Sequence, residues 1–330
     1  MTTHPGSGAP RDGAAPPFVL LVHRTTWEAD GVLSLELVHP EGKPLPPWSP
    51  GAHLDVSAGG HLRQYSLCSD PRDTGRYRIG VLDEPDSRGG SRYIHTTLRP
   101  GQTVEVAGPR NHFALEEAEA YVFLAGGIGI TPLLPMAREA ERLGVPYRLV
   151  HGGRSRLSMA FREELAALRG GTVQWVPQDE LGHIDLRAAL ADLSAGTLVY
   201  CCGPEPLLAA VEAACPAAQL RLERFAAPTG TGGPADARNE HEDAFEVECR
   251  ASGVTLDVPP DTSVLDAAEA AGLPVASSCR DGICGTCETR VLEGTPDHRD
   301  FLLSESERAA STTMMICVSR CASGRLVLDL

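Results

Sequence analysis

The chain is short of positive charge, of long apolar runs and of any regular cysteine framework, and each shortage closes off a class of function. Lysine and arginine together number 29 against 44 aspartate and glutamate, a net charge of −15 over 330 residues. That balance argues against a nucleic-acid partner, because phosphate backbones are bound by surplus cations. No apolar run approaches the roughly 20 residues needed to cross a bilayer, so no membrane association is expected. The opening stretch, Met1 to Pro17, is rich in Gly, Pro and Ala and lacks a signal-peptide core; residues 1–17 read as a disordered tail. Of ten cysteines, Cys68, Cys201, Cys202, Cys215, Cys249 and Cys321 are scattered without a pairing pattern, which points to a reducing cytoplasm.

What is present is more specific. Cys279, Cys284 and Cys287 form a C-x4-C-x2-C run, and Cys317 follows thirty positions later. This is the plant-type [2Fe–2S] ligand spacing. Two irons and two bridging sulfides need four thiolates; a tight loop supplies three, and a distant strand closes the far side. Gly282 and Gly285 let the backbone curl around the cluster and aim N–H groups at sulfur. Structural zinc prefers two short cysteine pairs, and only one is present here. Such a cluster moves one electron at a time, so the rest of the chain must supply the source of electrons.

Short strands separated by Gly and Pro, from Phe18 to Val106, predict a small antiparallel barrel. Within it, alternation places Arg63 and Tyr65 on one strand face and Gln64 and Ser66 on the other. A cation beside a ring suits a ligand with a phosphate at one end and a flat ring at the other, although such a tetrapeptide alone is equally ordinary surface chemistry. Arg88-Gly89-Gly90-Ser91, ahead of a short helix, has the makings of an anion site.

From Tyr121 onward strand and helix alternate, which predicts an open parallel sheet with its ligand at the strand C-terminal ends. The first strand runs into Gly126, Gly127, Ile128, Gly129, Ile130, Thr131 and Pro132, with Thr131 expected as helix cap and Pro132 at the first helical position. A glycine-rich turn of this kind lets a pyrophosphate approach the backbone. It departs from G-x-G-x-x-G, and a purely structural tight turn has the same composition. Cys202, Gly203 and Pro204 form a second strand-to-helix turn, and a last strand carries Glu223, Arg224 and Phe225. Residues 226–243 form an acidic Gly- and Pro-containing linker. From Phe245, short strands around one helix at residues 263–271 suit a β-grasp. Ala244 to Leu330 holds 14 acidic and 7 basic residues, an acidic face suited either to solubility or to docking on a basic acceptor.

With these motifs in order, the sequence resembles the ferredoxin–NADP reductase superfamily, and within it the phthalate dioxygenase reductase and vanillate demethylase reductase group. The resemblance runs from Phe18 to Leu330 through Arg63-x-Tyr65-Ser66, Gly90-Ser91, the Gly126–Pro132 turn, Cys202-Gly-Pro204, Glu223-Arg-Phe225 and the four cluster cysteines. It implies a multidomain fold: an antiparallel flavin barrel (residues 18–115), an α/β parallel-sheet nucleotide-binding domain (116–227), a linker (228–243) and a β-grasp plant-type ferredoxin (244–330).

The resemblance also implies roles. Arg63 would pair with the FMN phosphate, Tyr65 would lie on the isoalloxazine, Ser66 would hydrogen-bond near flavin N5, and Gly90 and Ser91 would add phosphate contacts. Gly126, Gly127, Gly129, Thr131 and Pro132 would hold the dinucleotide, with Cys202, Gly203 and Pro204 beside the nicotinamide and Phe225 near the flavin. Ser66 and Cys202 would be the catalytic pair, and His112 is taken as structural. NADH is expected, with NADPH open, because Arg154 and Arg156 follow the second strand where a 2′-phosphate is read, and no acid lies between them. Independently of any resemblance, a hydride donor and a one-electron cluster need a two-electron acceptor that releases electrons singly, and flavin has that property.

The expected function is an NAD(P)H–FMN–[2Fe–2S] reductase feeding the Rieske oxygenase of an aromatic-acid dioxygenase or O-demethylase, docking on its acidic ferredoxin domain. Alternatives are a reductase for a cytochrome P450 or other one-electron acceptor, and a redox-sensing carrier, against which the complete nucleotide turns argue.

Overall fold

The structure is a computed structural model, and it describes residues 17–226, apart from 86 and 88, and residues 243–330. The expected tail, Arg88 of the expected anion turn and nearly all of the expected linker lie outside the described residues. Three main sheets follow one another along the chain, with a further two-stranded sheet in the last unit, and four apolar clusters pack against them.

The first is antiparallel: β1 (Phe18–Ala29), β2 (Val32–Val38), β3 (His53–Ala58), β4 (His61–Ser66), β5 (Tyr77–Leu82) and, after helix α1 (Gly90–Thr96), β6 (Thr103–Arg110). Its strand order is β4-β3-β6-β1-β2-β5, and a bridge between Leu67 and Ile79 brings the two ends together. Period-two alternation builds the interior: Leu20 and Val22, Leu35 and Leu37, Leu54 and Val56, Ile79 and Val81, Val104 and Val106 all point inward.

The second sheet is parallel: β7 (Ala120–Gly126), α2 (Ile130–Leu143), β8 (Tyr147–Gly153), α3 (Arg162–Ala167), β9 (Thr172–Pro177), α4 (Gln178–Leu181), α5 (Leu186–Ala189), β10 (Thr197–Cys202), α6 (Glu205–Ala214) and β11 (Leu220–Glu223). The order β11-β10-β7-β8-β9 puts β7 at the centre, which is why its residues are buried on both faces. The α2 helix begins earlier than the sequence suggested, after a short 3-10 turn over Gly127–Gly129. Thr131 is therefore not a cap: it is the second helical residue, and its hydroxyl donates to the Ile128 carbonyl at 2.9 Å.

The third unit holds β12 (Phe245–Cys249), β13 (Val254–Val258), α7 (Val264–Ala270), β14 (Glu288–Glu293), β15 (Pro296–Asp297), α8 (Glu305–Ala310), β16 (Thr313–Met315), β17 (Arg320–Cys321) and β18 (Arg325–Leu328). Its main sheet runs β13-β12-β18-β14-β16, with β12 and β18 parallel at the centre. Ser263 caps α7 and Ser304 caps α8 with a full capping box to Glu307. The distant strand expected to carry the fourth cysteine ends at Met315, so Cys317 sits in the turn after it, where Val318 and Ser319 N–H groups return to the Met315 carbonyl.

The barrel and the parallel sheet are clamped by one carboxylate. Glu164 on α3 accepts two bonds from Arg78 of β5, both at 2.7 Å, and another from Arg138 of α2. The Arg78 guanidinium also lies over the Phe161 ring, 5.1 Å from its centroid. Burial works to raise the Glu164 pKa, but the Arg78 bonds and both cations overcome it and hold the carboxyl below the usual range. Replacing Glu164 by Gln should cost about 2 kcal/mol, below the loss for a fully buried pair because the clamp is partly solvated. Urea unfolding followed by tryptophan fluorescence measures this, and an unchanged midpoint would remove Glu164 from the account.

Candidate active site at a three-way junction

A cleft opens where the three units meet. The barrel contributes His53, Leu62, Arg63, Gln64 and Ser66, and the segment at and after β11 contributes Leu222 to Ala226. The cluster loop contributes Ser278, Cys279, Asp281 and Ile283, with Phe301 and Leu302 beside it. Arg63 comes from β4, whose side chains from both faces reach the cleft, and its stem packs on Gly90, where any side chain would collide with it. Phe225 is 44% exposed on this wall, a flat ring with no covering neighbour large enough to bury it. His53 is buried on the same wall, with its Nε2 lacking a hydrogen-bond partner. Burial first, then the charges of Arg110 and His112, pull its pKa down to about 3, so it is a neutral imidazole at working pH. A cation, a hydroxyl, an open ring and an orphaned buried imidazole nitrogen are what a flavin phosphate, ring edge and ring face require, so the cleft fits that group.

Expected flavin contacts do not all face the cleft. Tyr65 packs on the barrel core, and is absent from the cleft wall. Burial pushes its phenol up to about 12 despite the opposing Arg63 charge. Gly90 and Ser91 are buried at the start of α1, and the Ser91 hydroxyl donates to Ser87 at 2.8 Å.

Ser66, Cys202 and Glu223 converge from β4, β10 and β11. The Cys202 thiol donates to Glu223 Oε2 at 3.8 Å, and the Ser66 hydroxyl bonds the same carboxyl. Cys202 itself is fully buried and reaches the cleft only through Glu223. Its thiol is pushed well up, by burial first and then by Glu223, so it is no thiolate nucleophile. Glu223 keeps some surface on the open side of the cleft, yet its carboxyl is withdrawn, and that burial pushes its pKa up to about 8. The sequence reading placed Glu223 in a strand and gave it no role; a carboxyl between a catalytic-candidate serine and cysteine is visible only once β10 and β11 lie side by side.

The glycines of the two nucleotide turns serve each other. A Cβ on Gly129 would lie 2.2 Å from the Cys202 carbonyl oxygen, and one on Gly203 2.8 Å from Gly126 Cα, so the turns after β7 and β10 touch backbone to backbone. Gly127 differs: its φ is +54°, and nothing lies within 4 Å of its missing side chain. Buried His151 fixes this turn by a 3.1 Å bond between its Nε2 and the Gly127 carbonyl. Thr131 and Pro132 are buried, with the Thr131 methyl against Gly80 of the barrel, whereas Pro204 is exposed at the turn. Arg154 is exposed, and Arg156 is paired with Glu180 at 2.9 Å; the Asp179 N–H donates to the Arg154 carbonyl. Acids therefore do stand beside these arginines, supplied by α4 and not by the loop itself.

The four cluster cysteines gather at the edge of the cleft. Their sulfurs lie within bonding reach in a row, Cys284 to Cys279, Cys279 to Cys317, Cys317 to Cys287. Bonds from Cys284 and Cys317 hold Cys279 far down, and the backbone N–H groups of Asp281 and Ile283 also point at it. Among the described residues no three such side chains converge on one point as a single ion would require. Four thiols strung in a row with amide donors around them fit a two-iron cluster. His112, taken from the sequence as structural, stacks on His53 at 5.8 Å and meets Gly285, whose added Cβ would lie 2.6 Å from its Nε2. Among the described residues no helix is long and apolar enough to cross a membrane.

Comparison with known proteins agrees with this layout. Residues 246–322 match the family model described as a 2Fe-2S iron-sulfur cluster binding domain, and residues 123–213 match the oxidoreductase NAD-binding domain. A protein of Ectopseudomonas oleovorans named phenoxybenzoate dioxygenase subunit beta is 45% identical over 95% of this chain and 98% of its own length. The structure of phthalate dioxygenase reductase, titled as a modular structure for electron transfer from pyridine nucleotides to [2Fe–2S], is 35% identical with a TM-score of 0.66, covering 95% of this chain and 98% of that one. An intact type IV self-sufficient cytochrome P450 monooxygenase is 44% identical with a TM-score of 0.88; the match covers 95% of this chain but spans only 41% of that longer one.

The Glu223 carboxyl yields a pH prediction. Its folded pKa, about 8, lies above the ordinary glutamate value, so the folded state holds its proton where the unfolded state has released it. The stability that the neutral carboxyl contributes is therefore complete below the ordinary glutamate range and is lost as pH rises to about 8. Glu223→Gln cannot ionise and should remove this fall. Melting temperatures of both proteins from pH 5 to 9 should converge at acid pH and separate at alkaline pH in favour of the variant; parallel profiles would place the carboxyl in solvent.

Proposed function

The chain belongs to the phthalate dioxygenase reductase and vanillate demethylase reductase group of the ferredoxin–NADP reductase superfamily, and from that premise we propose that it serves the terminal oxygenase of a two-component system acting on an aromatic acid. It is an oxidoreductase, a reductase component in which electrons pass from NADH through flavin to a [2Fe–2S] cluster. The observation that carries the reading is the shared cleft: Ser66, Glu223, Phe225 and the cluster-loop Cys279 line one space.

When bound, FMN supplies the exchange between a two-electron hydride donor and a one-electron cluster. The chain's own part is placement. Arg63 would offer its cation to the flavin phosphate, with Gly90 and Ser91 behind it; Ser66 and the Glu223 carboxyl would serve the reactive edge, and Phe225 would pack on the ring. Tyr65 acts from within the barrel wall. Gly127, with open space at a left-handed turn, takes the close approach of the dinucleotide, while Gly126, Gly129, Thr131 and Pro132 hold that turn in shape. Gly203 and Pro204 position Cys202, whose neutral thiol anchors Glu223. Cys279, Cys284, Cys287 and Cys317 are the iron ligands. NADH is the favoured donor, because Glu180 already occupies Arg156 and stands where a 2′-phosphate would need a free cation, leaving Arg154 alone.

Docking of the oxygenase on the acidic third unit follows from its net −7 and from charge steering of encounter. Cys68, Cys201, Cys202, Cys215, Cys249 and Cys321, the six cysteines outside the cluster set, form no disulfide, which supports a cytoplasmic setting. The second reading, a reductase for a cytochrome P450, is favoured by the 44% identity to part of the self-sufficient P450 chain.

Anaerobic stopped-flow absorbance tests the relay. NADH should bleach the flavin band and then the longer-wavelength cluster band, with NADPH at least tenfold slower at equal concentration. Cys317→Ser should keep the first phase and abolish the second. No bleaching with either nucleotide would end the reductase reading.

A further inference from the structure

We infer that the barrel sets the reduction potential of the cluster by aiming the hydroxyl of Thr286 at the sulfur of Cys284. This rests on the reading that Cys279, Cys284, Cys287 and Cys317 hold a [2Fe–2S] cluster. The arrangement begins at Asp55 of β3, 2% exposed, whose two carboxylate oxygens are divided between two donors. Oδ1 accepts from Gln64 Nε2 at 2.9 Å, and Oδ2 accepts from Arg110 Nη2 at 2.6 Å. The carboxylate also decides which way the Gln64 amide lies, because the opposite orientation would set the amide oxygen against it. Both donors then cross to the cluster loop. Gln64 Nε2 lies 3.1 Å from Thr286 Oγ1 and 3.2 Å from the Cys284 carbonyl oxygen, and Arg110 Nη2 lies 3.1 Å from the same Oγ1.

A threonine hydroxyl has two acceptor lone pairs and one proton to give. Gln64 Nε2 has two protons to share among Asp55, the Cys284 carbonyl and Thr286, and like Arg110 Nη2 it can only donate, so neither nitrogen can accept the threonine proton. The remaining proton must point elsewhere, and Cys284 Sγ is 3.3 Å from Oγ1. An iron-bound cysteinate has no proton, so in the loaded protein the hydroxyl is the donor. A hydrogen bond to a cluster sulfur stabilises the added negative charge of the reduced state and raises the potential. Because both orienting donors belong to the barrel, the effect exists only while the cluster loop is seated on it. The cluster is then easier to reduce beside the flavin cleft and a stronger reductant once the loop has left it. Gln64 thus becomes a positioning residue for electron transfer, although it meets no sulfur.

The test is an EPR-monitored redox titration of the full-length holoprotein and its Thr286→Val, Thr286→Ser, Gln64→Leu and Gln64→Leu/Thr286→Val variants, with iron and flavin content measured for each. Thr286→Val should lower the one-electron reduction constant about tenfold, which is ~59 mV for one electron. Thr286→Ser should stay within twofold of the parent. Gln64→Leu should shift the same way by severalfold, and the double variant should shift no further than Thr286→Val alone. If Gln64→Leu leaves the potential unchanged, or adds in full to Thr286→Val, the barrel does not act through this hydroxyl and the inference fails, even if the domains bind more weakly. If Thr286→Val fails to take up iron, Gln64→Leu alone decides, since it lies outside the cluster loop. A parent protein without cluster iron would overturn the cluster reading and this inference with it, an outcome that iron analysis separates from a cluster whose potential simply does not move.

Discussion

Asp55 holds Gln64 with one carboxylate oxygen and Arg110 with the other, and through them it ties the barrel to the loop that carries three of the four cluster cysteines. Much else depends on that tie. The cleft has Cys279 on its wall only because the loop is seated there. The carboxylate is nearly inaccessible to water, so its charge is spent on these two donors instead of on solvent, and buried donors so oriented cannot be exchanged cheaply. Gly285 belongs to the same seat, since a side chain at its left-handed φ of +73° would strike His112.

A second carboxyl works by the opposite principle. Asp55 is buried with a cation beside it, whereas Glu223 is withdrawn with only a serine and a thiol for company, and so it keeps its proton to about pH 8. A neutral group there puts no fixed negative charge on the cleft wall beside Arg63. Asp55 fastens the cluster loop through Gln64 and Arg110, and Glu223, on the cleft wall, is tied to Cys202. Between the barrel and the parallel sheet, Glu164 does the fastening with Arg78 and Arg138.

Features set by local spacing were legible in the sequence. The C-x4-C-x2-C run, the period-two barrel strands and the buried run of β7 each follow from rules that act within a few residues, and the three-part fold class follows from their order. Contacts between distant segments were not. Gln64 and Thr286 are 222 positions apart, and nothing in either neighbourhood announces the other. Gly129 reads from the sequence as a dinucleotide glycine and Gly203 as a neighbour of the nicotinamide; composition alone cannot show that their two turns also press on each other. Thr131 was misread as a cap because the 3-10 turn before it is invisible to helical spacing. Glu180 escaped notice beside Arg156 because it arrives from the following strand-to-helix turn.

The proposed relay needs one cleft that holds the flavin with the cluster loop as part of its wall. A crystal structure of the full-length protein reconstituted with FMN and iron–sulfur cluster tests it most directly. Isoalloxazine density is expected between Ser66, Glu223 and Phe225, with the phosphate at Arg63 and the loop of Cys279 and Thr286 in contact with that same cleft. Flavin bound elsewhere, or bound there with the cluster loop lying against a different face of the barrel, would contradict it.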